Sequence, residues 1–220
     1  MWSSSSIRTR MWPALAMALA LPVLAHAADT VKKAPDAKAT PAAAKATTVS
    51  EAPKSKASQD AMMAEMLRLG QPGSEHEGLK AMEGTWKAVT KSWAGPGEPM
   101  ISEGTSVNSM ILGGRYLQSH FTGTMMGQPF EGWGLTGFDN SKKQYTAFWV
   151  DNSSTVMMLA SGTMNGKELT TKATMQGPDG KPTEYRMTTT MVDEKTHVFA
   201  MYAPVEGKEQ KMMEITYTRQ

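Results

Sequence analysis

The chain has 220 residues, 23 basic against 21 acidic side chains, a formal net charge of +2 and no cysteine. The lack of thiols excludes cysteine nucleophiles, thiolate zinc sites, iron–sulfur clusters and disulfide staples together. The excess charge belongs to Arg8 and Arg10, so the rest of the chain is balanced and offers no basic face to nucleic acid.

Those two arginines open a secretory pattern. Met11 to Ala25 is an apolar run interrupted by Pro13 and Pro22, and Ala25-His26-Ala27 satisfies the small-x-small rule, which places cleavage after Ala27. The run is shorter than the ~20 apolar residues of a membrane-spanning helix, and no other stretch is long enough, so no membrane span is expected. No cysteine stands near the cleavage site to carry a lipid. The pattern predicts a periplasmic or secreted bacterial protein. Residues 28–58 are almost wholly Ala, Lys, Thr, Pro, Ser and Val, with no aromatic side chain. Such a segment cannot offset its ordering entropy and is predicted to be a disordered linker. Residues 59–220 carry the folded domain.

A helix is predicted from Gln59 to Leu69, with Met62, Met63, Met66 and Leu69 at helical spacing, Asp60 as cap, and Gly70 and Pro72 ending it. Ser74 and Glu77 form a capping box for a short second helix carrying Leu79 and Met82, which Gly84 stops. From there on the chain is strand and turn. Nine marks punctuate it: Gly95-Pro96-Gly97, Gly113-Gly114, Met126-Gly127-Gln128, Asp139-Asn140, Asn152-Ser153, Asn165-Gly166, Asp179-Gly180, Asp193-Glu194 and Glu206-Gly207. Asn165-Gly166 is the strongest signal for a type I′ hairpin. Ten strands joined by hairpins make a meander, and a single sheet of that size leaves two open edges unless it closes. The expected fold is all-β: an up-and-down antiparallel barrel of about ten strands behind one or two short helices.

Several motifs resolve into packing. Gly132-Trp133-Gly134-Leu135-Thr136-Gly137 matches the dinucleotide fingerprint letter by letter, yet a turn and another strand follow where the phosphate-binding helix belongs. The glycines read as bends in a coiled strand. The pairs Met125-Met126, Met157-Met158 and Met212-Met213 carry soft sulfur ligands suited to Cu(I). Neighbours on a strand point to opposite faces, however, so a pair cannot chelate as a unit and methionine packing is the plainer account. His76 is placed on the surface of the second helix, and His120 and His197 lie on strands. There is no Gly-x-Ser-x-Gly elbow, His-Glu-x-x-His run or Ser-x-x-Lys motif, so no catalytic residue, metal ligand or cofactor is assigned.

Gly84-Thr85-Trp86 follows the second helix and opens the first strand. It resembles the Gly-x-Trp that opens the first strand of lipocalin and calycin barrels, where the indole plugs one end and an arginine of the last strand lies across it. Arg219 stands where that partner belongs, and Trp86 with Arg219 is the expected structural closure. Three further stretches carry a closer likeness: Leu112-Gly113-Gly114-Arg115-Tyr116, the run from Gly123 to Gly132 (Gly-Thr-Met-Met-Gly-Gln-Pro-Phe-Glu-Gly), and Trp149-Val150-Asp151. With Gly180-Lys181-Pro182 and Ile215-Thr216-Tyr217 they resemble the family catalogued as domain of unknown function 1579, from about Ser74 to Arg219. The resemblance implies a barrel and a bacterial source and transfers no catalytic residue. A looser similarity to nitrobindin-type barrels, which hold haem, rests on Gly-Thr-Trp.

An inward Trp86 sets Ala88 and Thr90 inside the barrel and Lys87 and Lys91 in water. Ile215 and Tyr217 then face in and Glu214 out. For the middle strands, Tyr145, Ala147 and Trp149 compete with Phe148 and Val150 for the interior. The candidate ligand-binding residues are Trp86, Tyr116, His120, Ala147, Trp149, Arg186 and Tyr217, with Gly123, Gly132, Gly134 and Ala147 leaving room. Binding of a small apolar ligand is the first reading, marked by a cavity above about 300 Å³. A metal or haem carrier, marked by inward His and Met converging on one point, is the second. A filled barrel acting as an envelope interaction module is the third. No motif encodes an oligomeric state.

Overall fold

The computed structural model describes residues 55–177 and 180–220. The expected leader, nearly all of the expected linker and Asp179 lie outside them. Two helices precede the sheet: α1 (Lys56–Leu69) and α2 (Ser74–Lys80). Ten strands follow: β1 (Gly84–Ser92), β2 (Met100–Ile111), β3 (Tyr116–Met125), β4 (Gln128–Asp139) and β5 (Gln144–Asp151), then β6 (Met158–Asn165), β7 (Glu168–Gln176), β8 (Pro182–Met191), β9 (Thr196–Val205) and β10 (Lys208–Arg219). Each pairs antiparallel with its sequence neighbour, and β1 pairs with β10, closing the barrel. The register shifts once, between Lys211 and Met213, where β10 carries a bulge.

Among the described residues the chain divides at Leu67, which places most of α1 in a unit separate from the one that begins at Arg68. This helix starts three residues before the expected Gln59. Ser55, not Asp60, sits at its start, accepting from the Ser58 amide on its hydroxyl at 3.3 Å. No residue of α1 is buried, and Met62, Met63 and Met66 are all exposed.

The second unit, from Arg68 onward, holds α2 and the barrel. Here the cap differs from the expected box of Ser74 and Glu77. Gly73 occupies the cap position, its amide donating to His76 Nδ1 and its carbonyl accepting from the His76 amide, both at 3.0 Å. That bond draws His76 inward to lie edge-on to Phe138, so the histidine expected at the surface is buried. Leu79 and Met82 pack on Leu117, Tyr145 and Leu169 from three strands, and this cluster fills the end of the barrel under α2. Burying each such side chain contributes about 1.5–3 kcal/mol.

Trp86 completes the plug. It is fully buried, and its Nε1 donates to the Met82 carbonyl at 2.9 Å. Asn108 donates to the same oxygen at 3.1 Å and accepts from the Ser106 hydroxyl at 2.8 Å. Arg219 lies across the indole with Cζ 4.2 Å from the ring centre.

Turn chemistry distributes itself differently from expectation. Both loop residues are left-handed in Met126-Gly127 and Glu206-Gly207, which makes these the type I′ hairpins. At Asn165-Gly166 only the glycine has positive φ, because Asn165 still pairs with Glu168 and the loop is Gly166-Lys167.

Candidate ligand cavity

Strict alternation along the strands decides which side chains meet inside. The paired rows run Trp86, Ser106 and Phe121 on one side and Tyr217 and His197 on the other, and they set the interior parity of every strand. In β5 the choice falls to Tyr145, Ala147 and Trp149, which register with Phe138, Thr136 and Gly134 of β4. Above the plugged end these rows do not meet. They surround a cavity of about 280 Å³ that runs from Met82, Leu117 and Tyr217 to Ser92, Met125 and Trp149 near the opposite ends of the strands.

The cavity wall is divided in character. Thr90, Ser92, Ser102 and Ser106 line it from β1 and β2, Ser119 stands between Leu117 and Phe121 on β3, and β5 to β10 are mainly apolar (Trp149, Met158, Met187, Phe199 and Ile215) with Thr171 and Thr189 among them. Space arises where facing inward positions are both small, as at Ala147 of β5 opposite Ala160 of β6. The glycines of Gly132-Trp133-Gly134 have a specific job. A Cβ at Gly132 would overlap the Trp149 indole, and one at Gly134 would stand 3.1 Å from it. The indole therefore lies flat on β4, held by its Nε1 donating to Asp151 Oδ2 at 2.9 Å. Gly132 gives its room to Trp149 rather than to a guest.

Ala147, Trp149 and Tyr217 line the cavity, and Trp86 is packed beneath it in the plug. Tyr116, His120 and Arg186 point outward instead. Leu117, Ser119 and Phe121 take the inward positions of β3, which turns Tyr116 and His120 to the outer wall. There His120 stacks on Trp133 at 3.9 Å, and its Nε2 lies 2.8 Å from Glu131 Oε1. That contact and the Trp133 indole hold the Glu131 carboxyl below its usual range. Likewise Met187 and Thr189 line the cavity, and Arg186 forks onto Glu209 from outside at 2.7 and 2.8 Å, over the Tyr202 ring.

The residue that sequence reasoning left out of the set is His197. It lines the cavity floor, 5% exposed, stacked on Tyr217 at 4.5 Å and edge-on to Trp86 at 4.4 Å. Burial, and then the nearby Arg219 charge, push its pKa down to about 4. Burial alone raises the Tyr217 phenol. The alternation of His197 with Phe199 and Met201 carried the signal, but only the parity of Tyr217, its partner across β9 and β10, could have turned it inward. Among the described residues no group of three or more His, Asp or Glu side chains is placed to hold a metal ion.

A closed, ten-strand, up-and-down barrel with one end plugged by a helix and a tryptophan is a calycin-like barrel. Residues 71–219 match the model of the family described as "Protein of unknown function (DUF1579)", and the chain belongs to that family. Among solved structures, Rv2717c from M. tuberculosis is similar in fold, with a TM-score of 0.50 and 12% identity over 68% of this chain and 99% of that one. A redesigned β-barrel aligns over 65% of this chain and 95% of its own, at 14% identity and a TM-score of 0.37. No curated protein matches the chain.

Proposed function

We propose that this protein is an exported carrier or receptor whose barrel holds one small, mainly apolar molecule. The observation behind this reading is the cavity: about 280 Å³, walled mainly by aromatic, aliphatic and methionine side chains, with hydroxyls concentrated on β1 and β2. It stands at the lower edge of ligand pockets, which run from about 300 to 1,000 Å³, and barrel mouths are preferred sites for them. The volume falls just short of the mark set for this reading, so the guest must be compact. Thioether side chains let the wall adapt to different shapes. A metal carrier is the second reading, favoured by His197 standing in the same cavity as Met158, Met187 and Met213; a haem, with its four pyrrole rings, is too large for this volume.

Purification from the native cell envelope followed by native mass spectrometry separates the two, since a copurified mass identifies the guest. A hydrophobic fluorescent probe should bind the folded domain saturably at micromolar concentration and raise its melting temperature by mass action. Ala147→Trp, which fills the wall opposite Ala160, should abolish that binding and leave the fold intact. Absence of saturable binding across a broad panel of apolar probes would reject the reading.

Export is supported by Arg8, Arg10, the apolar run and Ala25-His26-Ala27. N-terminal sequencing of envelope material should begin at Ala28. Retention of Met1 in a membrane fraction would sink this part of the proposal.

A further inference from the structure

The cavity floor contains a buried polar side chain that the barrel leaves unserved. His197 lines the cavity and is 5% exposed, and its Nδ1 has neither accessible surface nor a hydrogen-bond partner among the described residues; a half-turn of the ring about Cβ–Cγ exchanges that nitrogen with Cδ2 on the other edge. Native folds pair nearly all such atoms. The polar groups around it are already committed. Trp86 Nε1 and Asn108 Nδ2 both donate to the Met82 carbonyl, and Ser106 donates to Asn108. The Arg219 guanidinium is engaged by the carbonyls of Ala81, Glu83 and Glu194, and it stacks on the Trp86 ring. Tyr217, stacked on the imidazole, also lines the cavity.

We propose that the guest enters polar end first and is a compact, uncharged, apolar molecule whose single hydroxyl-type group meets His197 beside Tyr217. This rests on the reading of the cavity as a ligand site. The imidazole is neutral at neutral pH, since burial lowers its pKa to about 4, so it offers one donor and one acceptor. A hydroxyl can donate or accept, and it satisfies either tautomer. A carboxylate would lose its water on a floor where the nearest guanidinium is engaged elsewhere, and burying an unpaired charge is costly. An ammonium would meet a neutral ring under the field of Arg219. Size narrows the class further. The cavity is roughly twice the ~150 Å³ apolar cavity known to admit benzene, which suits two fused rings.

The test compares 2-naphthol, naphthalene and 2-naphthoate, which share one ring system and differ in their polar group. With the full-length mature protein, 2-naphthol should bind about tenfold tighter than naphthalene, because the analogue without a hydroxyl leaves the histidine unpaired. The anion 2-naphthoate should bind more weakly than 2-naphthol. In His197→Phe the preference for 2-naphthol over naphthalene should fall to within about threefold, with naphthalene itself still bound. A second readout needs no variant: the ring-nitrogen NMR resonances of His197 should shift with 2-naphthol and stay in place with naphthalene. Equal affinity of the wild-type protein for 2-naphthol and naphthalene, with silent ring resonances, overturns the inference and leaves the cavity reading standing. Tighter binding of the anion overturns it in the same way. Failure of all three probes to bind removes the cavity reading, and this inference with it.

Discussion

Replacing Arg219 by alanine is expected to lower the free energy of unfolding by about 2–4 kcal/mol. Stacking on Trp86 contributes about 0.5–2 kcal/mol of this, because the guanidinium sits 4.2 Å from the ring of a fully buried indole. The larger part comes from three carbonyls. Arg219 donates to Ala81 O at 2.7 Å and Glu83 O at 2.6 Å, both just past the end of α2, and to Glu194 O at 3.1 Å in the loop between β8 and β9. Hydrogen bonds to a charged group are worth about 1.5–3 kcal/mol each, and those on a shared donor do not add in full. The residue thus ties the last strand, the helical plug and a neighbouring hairpin together. Arg219→Lys should recover little of the loss, since an ammonium cannot fork between three acceptors while lying flat on an indole. Urea unfolding followed by tryptophan fluorescence checks both variants. A cost under about 0.5 kcal/mol for the alanine would show that the plug holds without this residue.

The legible part of this fold is the part governed by local chemistry. Turn residues recur about every dozen positions, and glycine, asparagine and aspartate there identified nine breaks and ten strands, matching the ten strands that pair around the barrel. Gly84-Thr85-Trp86 supplied the parity of β1, and antiparallel register carried it across β10 to Ile215 and Tyr217. Middle strands lacked such an anchor. In β5 every residue from Tyr145 to Val150 is apolar or small enough to face either way, so only pairing with β4 could choose. Tyr116, His120 and Arg186 were misplaced for a related reason. Polar and aromatic side chains look like pocket residues, but two of these have outward partners from another strand: Trp133 and Glu131 for His120, Glu209 and Tyr202 for Arg186.

Glycine was readable as a bend but not as a seat. At Gly132 and Gly134 the missing side chains make room for the Trp149 ring on the adjacent strand, a relation that depends on register alone. The same holds for His76. Its ring became buried because its Nδ1 closes the start of α2 on the Gly73 amide, where sequence pattern put the cap one residue later. Each of these misreadings involves a side chain satisfied by a group distant in sequence or by a backbone atom that no composition rule exposes.

Stability should fall with acid in a window that belongs to His197. The unfolded chain takes up a proton on this imidazole near pH 6.5, whereas the folded protein resists until about pH 4, because burial and the Arg219 charge disfavour the cation. Between those values the unfolded state binds more protons, so the unfolding free energy rises with pH. The contribution is complete above pH 6.5 and is lost progressively as pH falls to about 4. At about 1.4 kcal/mol per pH unit the loss amounts to about 3 kcal/mol. The groups around the ring are Trp86, Tyr217 and Arg219, and none supplies a negative charge to accommodate the proton. Carboxyls with lowered pKa, such as Glu75, Asp139 and Glu209, also lose their contributions in acid, but only from about pH 5 downward, where the unfolded carboxyls begin to take up protons. His197→Phe separates the two sources. Phenylalanine keeps an aromatic ring between Trp86 and Tyr217 and cannot titrate. Urea midpoints measured from pH 7 to pH 4 should therefore drop steeply for the wild type and stay nearly level for the variant down to about pH 5. Parallel curves across the whole range would mean that the imidazole meets water in the folded state, and the description of His197 as buried and unserved would have to be abandoned.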